Sequence, residues 1–177
     1  MTNGSKNFLE LAKSRYSVRK YENKAVETEK LTVILEAGRV APTAANRQPC
    51  VFLVLNNEES IAKLSKGCNP HNAPLAIIVC ADKNVVWVRS FDKKNMIDID
   101  SSIATDHIML CAQDLGLSSC WITHFDPVIV CKEFNIPDNF VPVNILVIGY
   151  GIDEPKSPDR HSQTRKPLDK IVRYSSF

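Results

Sequence analysis

The sequence predicts an α+β fold in which a central mixed β-sheet is flanked by helices. Two short, nearly continuous apolar runs rich in β-branched residues indicate strands that are buried on both faces. A long apolar helix pattern between residues 99 and 115 is typical of a helix that packs near the centre of a domain. Strands and helices alternate only in part, so parallel pairing is not enforced. A chain of 177 residues can bury its own core, and we expect one domain over residues 1–177.

The first half of the chain contains three predicted helices and two predicted strands. Apolar residues follow helical spacing within Asn7 to Ser14. Thr28 is a candidate N-cap for a second helix, and Pro42 marks its end because proline interrupts helical hydrogen bonding. The other predicted elements are strands at Cys50 to Leu55 and Pro74 to Ala81, and a short helix at Glu58 to Lys66.

The second half begins with the strongest helix signal, which covers Ile99 to Leu115 and has Gly116 placed as a C-terminal cap. From Asp153 to Lys166 the chain is rich in proline and charge and has no periodicity, which predicts a linker or an arm. Between them we expect a strand at Cys120 to Thr123, a helix that starts at Asp126-Pro127, and a last core strand at Val143 to Tyr150.

Composition and motifs exclude several classes of function. The net charge is +2 and the basic residues are scattered, so nucleic acid is not an expected partner. No stretch approaches the roughly 18 apolar residues of a membrane-spanning helix. Met1 to Lys6 is polar with no apolar run after it, so we expect no signal peptide and a cytoplasmic protein. The six cysteines lack a CxxC pair and metal-ligand spacing, so neither disulfides nor a metal site is expected.

Motifs that mark common nucleotide sites and hydrolytic sites are also missing from the sequence. There is no GxGxxG after a strand and no GxxxxGK[ST], so neither a Rossmann fold nor a P-loop is supported. There is no GxSxG and no HExxH, and the four histidines stand apart. A bound nucleotide would need another kind of site.

A short basic segment follows the first predicted helix. Arg15, Ser17 and Arg19 alternate, so in extended backbone their side chains would lie on one face. Two guanidinium groups and a hydroxyl on one face suit a phosphate group. From these residues alone, a solvated basic loop is the favoured interpretation.

A second segment, Pro42 to Pro49, combines a helix end with small side chains and amides. This composition suits a flat heterocycle. The alternative is a helix-terminating loop made of ordinary turn residues.

The two segments together resemble the FMN-dependent nitroreductase family. In that family R-x-S-x-R/K-x-aromatic follows the first helix, and P-S/T-x-x-N-x-Q-P-W follows the second. The second pattern matches at each defined position except the last, where Cys50 replaces the usual tryptophan. The resemblance implies a flavin-phosphate segment with Arg15, Tyr16, Ser17 and Arg19, and a segment with Pro42, Thr43, Ala44 and Asn46 that contacts the flavin bound mainly by the other subunit.

Two further segments extend the resemblance to about residues 8 to 174. Leu115 to Thr123 is similar to the family's LGLGTCWI strand, which implies that the backbone at Ile122 and Thr123 faces the reactive N5 of the flavin. Arg165 to Leu168 is similar to the family's terminal R-K-P-L, whose arginine closes on the phosphate. No role follows for Thr105-Asp106-His107.

The resemblance implies an interlocked homodimer with FMN at the subunit interface and residues 153–177 as a C-terminal arm. NADH or NADPH would give hydride to flavin N5 in a ping-pong cycle, and a nitroaromatic, a quinone or a similar small electron acceptor would receive it. No catalytic side chain and no metal are needed. Two alternatives stay open: an FMN-binding protein or redox sensor without NAD(P)H turnover, and a different flavin reaction on the same fold.

Overall fold

The structure is a computed structural model that describes residues 7–177. Met1 to Lys6, where no signal peptide is expected, lies outside the described residues. Short 3₁₀ turns occur at Ala44–Asn46, Pro158–Arg160 and Leu168–Lys170. In chain order the helices and strands are α1 (Phe8–Ser14), α2 (Thr28–Arg39), β1 (Cys50–Leu55), α3 (Glu58–Leu64), β2 (Leu75–Asp82), α4 (Ile97–Asp114), β3 (Ser118–Ile122), α5 (Pro127–Phe134), β4 (Phe140–Gly149) and α6 (His161–Thr164).

The four strands form one sheet in the order β1-β2-β4-β3, and all three neighbouring pairs are antiparallel. The α+β class is confirmed, but the prediction of a mixed sheet is wrong for these strands. Within residues 7–177, parallel pairing is limited to a single bridge between Ser17 and Ser119. The reason is that α3 and α5 each connect two strands that are neighbours in the sheet, and antiparallel neighbours need no crossover.

The sheet is covered on both faces, as the apolar strands predict. On one face, Ile77 and Val79 of β2 pack with residues of α2 and α4. On the other face, Ile78 and Cys80 pack with residues of α3 and α5. Alternation along the strand therefore gives one helical layer to each face. Among residues 7–177, no helix combines the length and the apolar character that a membrane crossing requires.

Two of the three predicted helix caps are confirmed. The Asp126 carboxylate accepts hydrogen bonds from the N–H groups of Val128 and Ile129 at the start of α5. Gly116 follows α4 with a φ of +76°, a left-handed conformation that favours glycine. The assignment of Thr28 as an N-cap is wrong, because Glu27 has the extended backbone of the cap and Thr28 is the first helical residue.

A buried polar chain connects β3, β4 and α4. The indole N–H of Trp121 donates to the Asn144 side-chain oxygen at 2.8 Å, and the Asn144 amide donates to Thr105 Oγ1 at 3.3 Å. Thr105 in turn donates to the Ser101 carbonyl oxygen at 2.7 Å. Satisfied buried polar groups of this kind fix one packing arrangement, which gives Thr105 a structural role.

Candidate functional site

The basic segment after α1 runs beside the edge strand β3. Val18 donates its backbone N–H to the Ser119 carbonyl at 3.0 Å, and its side chain is buried. Burial raises the pKa of the nearby Cys120 thiol, while Arg19, Ser17 and Arg15 beside the thiol act against that rise. All three alternating residues therefore lie near enough to the Cys120 thiol to affect its pKa.

Arg15 belongs to a cluster of three guanidinium groups. Burial lowers the pKa of Arg15, and the positive charges of Arg160 and Arg165 lower it further. The carboxylate of Asp106 on α4 acts in the opposite direction. The predicted residues Arg15 and Arg165, 150 positions apart in the sequence, are thus near enough for the charge of Arg165 to lower the pKa of Arg15.

The positive charge of this corner is not matched by ion pairs. Within residues 7–177, the salt bridges do not include Arg15, Arg19, Arg160 or Arg165. Arg15 and Arg160 are nevertheless half-buried. Like charges that are brought close and partly removed from water favour an anion as their counter-charge.

Sequence analysis missed Arg160. Its Nη1 donates to the carbonyls of Lys13 and Ser157 at 2.9 Å each, and its Nη2 donates to the Arg15 carbonyl at 2.7 Å. One signal was available: Ser157-Pro158 is a cap followed by proline, the same pattern that correctly marks the start of α5. It predicts local order in a segment that otherwise reads as an aperiodic linker.

The start of the arm is joined to the basic segment. The Tyr16 hydroxyl is shared between the carbonyls of Asp153 and Glu154 at 3.3 Å each. The backbone N–H of Arg19 donates to the Asp153 carboxylate at 3.2 Å. The hydroxyl of Tyr16, a predicted cofactor-binding residue, is therefore engaged with the arm.

A strained turn lies beside Arg19 and was also missed. His71 and Asn72 both have left-handed backbone, with φ of +56° and +57°. Burial and the Arg19 charge lower the pKa of the His71 imidazole. Strained non-glycine backbone is frequent at ligand sites, and this turn lies next to the basic corner.

The second predicted segment forms a strained loop between α2 and β1. Ala45, Asn46 and Gln48 have left-handed backbone with φ between +51° and +53°. The hydroxyl of Thr43 accepts the Gln48 N–H at 3.0 Å and closes the loop. Each such residue costs about 1–3 kcal/mol, and its conformation persists only where surrounding contacts hold it.

Asp100, on the first turn of α4, helps to hold the strained loop in place. Sequence analysis missed this residue. Its Oδ1 accepts the Ala44 N–H at 2.9 Å, and the side chain is buried. An acidic residue in a first helical turn is ordinarily explained by the helix dipole, so the sequence gives no hint of this contact.

Cys50, which stands where the family has tryptophan, lines an open cavity of about 720 Å³. Thr43 and Gln48 of the strained loop line the same cavity, together with Phe52 and Ala104. A small side chain at position 50 thus leaves space beside the loop.

The two predicted segments lie at opposite corners of the sheet. Strands β1 and β3 are its two edges, three strand spacings or about 14 Å apart. The loop precedes β1 at the end of the sheet that holds Phe140, since Pro49 accepts the N–H of Asp82, which pairs with Phe140. The basic segment bridges Ser119, which pairs with Ile148. Phe140 and Ile148 are eight residues apart on β4, which corresponds to about 25 Å along the strand. One protomer therefore does not bring the two segments together.

Ile122 is the last residue of the edge strand β3, and Thr123 follows it. Ser119 accepts the Val18 N–H on the side away from β4. Because strand backbone alternates with period two, the N–H of Trp121 also points to that free edge. Thr123 lies about 13 Å beyond Ser119 in the direction of β3. An open cavity of about 670 Å³ begins at the next residue, His124.

Comparisons with known proteins agree on one family. A model described as the nitroreductase family matches residues 12–71 and 58–150. A protein of Methanothermobacter thermautotrophicus with the provisional name NADH dehydrogenase/NAD(P)H nitroreductase is 32% identical, over 92% of this chain and 86% of the relative.

Solved structures give the same result. A nitroreductase family protein of Clostridium difficile 630 is 53% identical and superposes with a TM-score of 0.95, over 97% of this chain and 99% of that one. A protein of Clostridium difficile R20291 described as an FMN-dependent nitroreductase is 30% identical with a TM-score of 0.79, over 96% and 99% of the two chains.

Proposed function

The chain belongs to the nitroreductase family, and from that premise we propose that it is an NAD(P)H-dependent FMN oxidoreductase whose acceptors are nitroaromatics, quinones or similar electron-poor small molecules. The observation that carries the proposal is the cluster of Arg15, Arg160 and Arg165, in which the half-buried Arg15 and Arg160 have no ion-pair partner among residues 7–177. A phosphate monoester with a charge of about −2 supplies the missing counter-charge.

The residues of this corner fit FMN. Arg15, Ser17 and Arg165 would hold the phosphate, since Arg160 is engaged with backbone carbonyls. The free edge of β3 leads from there towards Thr123, whose N–H would donate to the flavin ring. A backbone donor stabilises negative charge on a reduced flavin without supplying a competing proton.

Bound FMN would supply the redox chemistry, which is hydride transfer from NADH or NADPH and reduction of the acceptor. Arg15, Ser17 and Arg165 would hold the phosphate, and the edge of β3 would orient the ring.

We also propose that the protein is a homodimer in which each site is shared. The basic segment and the Pro42 to Pro49 loop lie at opposite corners of one sheet, so both reach the same flavin only if they come from different subunits. Exposed apolar residues support a second copy as the partner: α1 has no buried residue within the chain. The large apolar side chains exposed in α1 and in the arm are Phe8, Leu9, Leu168, Ile171, Tyr174 and Phe177.

The test is a visible spectrum of the purified protein after addition of FMN and removal of free ligand, followed by anaerobic addition of NADH or NADPH. Retained flavin absorbance that bleaches with either nucleotide and returns with an acceptor supports the proposal. Retained absorbance that does not bleach indicates a flavin-binding protein without this turnover. Absence of retained absorbance contradicts the flavin site.

A further inference from the structure

We propose that Arg160 is a positioning residue: it fastens the C-terminal arm to the end of α1 and thereby places Arg165 against Arg15. The inference rests on the proposed phosphate site for its functional consequence. Its structural part, the fastening of the arm, stands without any ligand.

The fastening contacts are specific and join distant parts of the chain. The guanidinium of Arg160 donates to the carbonyls of Lys13 and Arg15, which are 147 and 145 residues away. His161 adds a contact between its Nε2 and the Lys13 carbonyl at 3.3 Å. Two consecutive residues of the arm therefore contact the same end of one helix.

That end of α1 is a suitable place for a cation. The last carbonyls of a helix have no partner within the helix, and they carry the negative end of the helix dipole. Lys13 lies in the last turn of α1 and Arg15 is its C-cap. A planar guanidinium that reaches two such carbonyls satisfies both at once, which a lysine ammonium does less well.

The arm presents Arg160 from a turn that is ordered by its own contacts. Ser157 caps the turn by accepting the Asp159 N–H at 3.1 Å, and Ser162 Oγ donates to the Asp159 carbonyl at 2.8 Å. Thr164 Oγ1 donates to the Arg160 carbonyl at 2.8 Å. Because Arg165 follows this turn directly, holding Arg160 in place also restricts the position of Arg165.

The charges make docking of the arm stronger when an anion is bound. Arg160 and Arg165 both repel Arg15, so docking of the arm is opposed by like charge until a counter-charge is present. A bound phosphate group would relieve that repulsion. By linkage, phosphate binding and arm docking then favour each other to the same extent.

The experiment compares the wild-type protein with Arg160→Gln, Arg160→Lys and a control, Arg173→Gln. Arg173 is an arm residue whose side-chain bonds stay within the arm, at Asp169 and Val172. The first readout, without FMN, is the rate of trypsin cleavage after Arg165, followed by mass spectrometry. The second is the dissociation constant of FMN from fluorescence titration.

We expect Arg160→Gln to be cleaved after Arg165 about tenfold faster than wild type and to bind FMN about tenfold more weakly. Arg160→Lys should lie between wild type and Arg160→Gln, and Arg173→Gln should match wild type in both readouts. FMN should protect the wild-type arm from cleavage. If Arg160→Gln fails to fold, the Arg160→Lys comparison carries the same test.

Two results would overturn the proposal. Wild-type cleavage and affinity in Arg160→Gln would show that the residue does not position the arm. A loss of affinity with unchanged cleavage would show that Arg160 binds the phosphate itself. Faster cleavage of Arg160→Gln, together with no FMN binding by wild type or by any variant, would uphold the fastening of the arm and refute the proposed function. The two failures are therefore distinguishable.

Discussion

The carboxylate of Asp100 accepts the N–H of Ala44 at 2.9 Å and joins the first turn of α4 to the strained loop before β1. The other carboxylate oxygen, Oδ2, is buried and has no hydrogen-bond partner among residues 7–177. A buried carboxylate is costly to desolvate, and retaining one half-satisfied indicates that its single contact matters. The contact fixes Ala44, next to two residues with left-handed backbone.

Replacing Asp100 by alanine should destabilise the protein by about 1–3 kcal/mol, because the Ala44 N–H loses its acceptor. Asp100→Asn keeps an oxygen acceptor and should lose less. The measurement is the free energy of unfolding from urea denaturation. Asp98→Ala, an exposed acid in the same helical turn, is the control and should stay within about 0.5 kcal/mol of wild type. Equal losses for Asp98→Ala and Asp100→Ala would contradict a specific role for the contact.

The double variant Arg15→Ala and Arg165→Ala should lose FMN. Each charge-assisted bond to a phosphate contributes about 1.5–3 kcal/mol, so the dissociation constant should rise at least about a hundredfold. Fluorescence titration measures it. Arg89→Ala with Arg173→Ala removes the same charge away from the basic corner and should bind FMN like wild type. Full retention of the cofactor by the Arg15 and Arg165 variant would refute the phosphate assignment.

Gly38 of α2 packs closely against Ile108 of α4. A Cβ at this position would lie 2.8 Å from side-chain atoms of Ile108 and 2.9 Å from the ring of Phe52. Gly38→Ala should therefore cost about 1–3 kcal/mol through overpacking, although alanine favours helices. Adding Ile108→Val removes one of the crowding methyl groups, so the double variant should be more stable than the sum of the single losses predicts. Strict additivity in urea denaturation would contradict steric crowding.

Stability should fall as the pH rises above about 9, because buried thiols resist ionisation. Burial and the charge of Cys131 raise the pKa of Cys80 from 9.0 to about 12. Above pH 9 the unfolded thiol has released its proton while the folded thiol still holds it. The unfolded state is then favoured by up to about 1.4 kcal/mol per pH unit, until the pH reaches the folded value near 12.

The check is the free energy of unfolding at pH 7, 9 and 10 for wild type and Cys80→Val. The valine variant lacks the titrating thiol and should show a smaller decline with pH. Ile78→Val, a buried change on the same face of β2, should lower stability equally at each pH and keep the wild-type slope. An unchanged slope in Cys80→Val would contradict the assignment.

The elements that sequence predicts well are those with strong local signals. The strand Cys50 to Leu55 is placed at its observed ends, and the start of α5 follows from Asp126-Pro127. β4 begins at Phe140, three residues before the predicted start, and it contains Pro142, a residue type that is rare in central strands. Its position beside a register shift in the pairing with β2 explains why proline is tolerated in this central strand.

The part of the site that sequence does not predict depends on contacts between distant segments. Alternation and local motifs suffice to place Arg15, Ser17 and Arg19 on one face. Asp100 and Arg160 act on residues 56 and 145 positions away, and no local pattern distinguishes them from solvated charges. The order of strands in the sheet also depends on pairing between distant segments. The separation of the two predicted segments is therefore known only once the sheet topology is known.

Because the basic segment and the Pro42 to Pro49 loop are far apart within one chain, the shared site can be tested by subunit complementation. One variant, Arg15→Ala with Arg165→Ala, lacks the phosphate corner. The other, Thr43→Ala with Asn46→Ala, lacks the loop contacts. Each variant alone should bind FMN poorly, because both sites of a homodimer then contain the same defect.

A mixed dimer of the two variants behaves differently if the sites are shared. One of its two sites combines the intact corner of the loop variant with the intact loop of the corner variant. Random reassociation of equal amounts makes half the dimers mixed, so about one quarter of all sites should bind FMN normally. If each site lay within one chain, every site would carry a defect and reassociation would restore no binding. Flavin absorbance retained after desalting separates the two outcomes, and each variant refolded alone is the control.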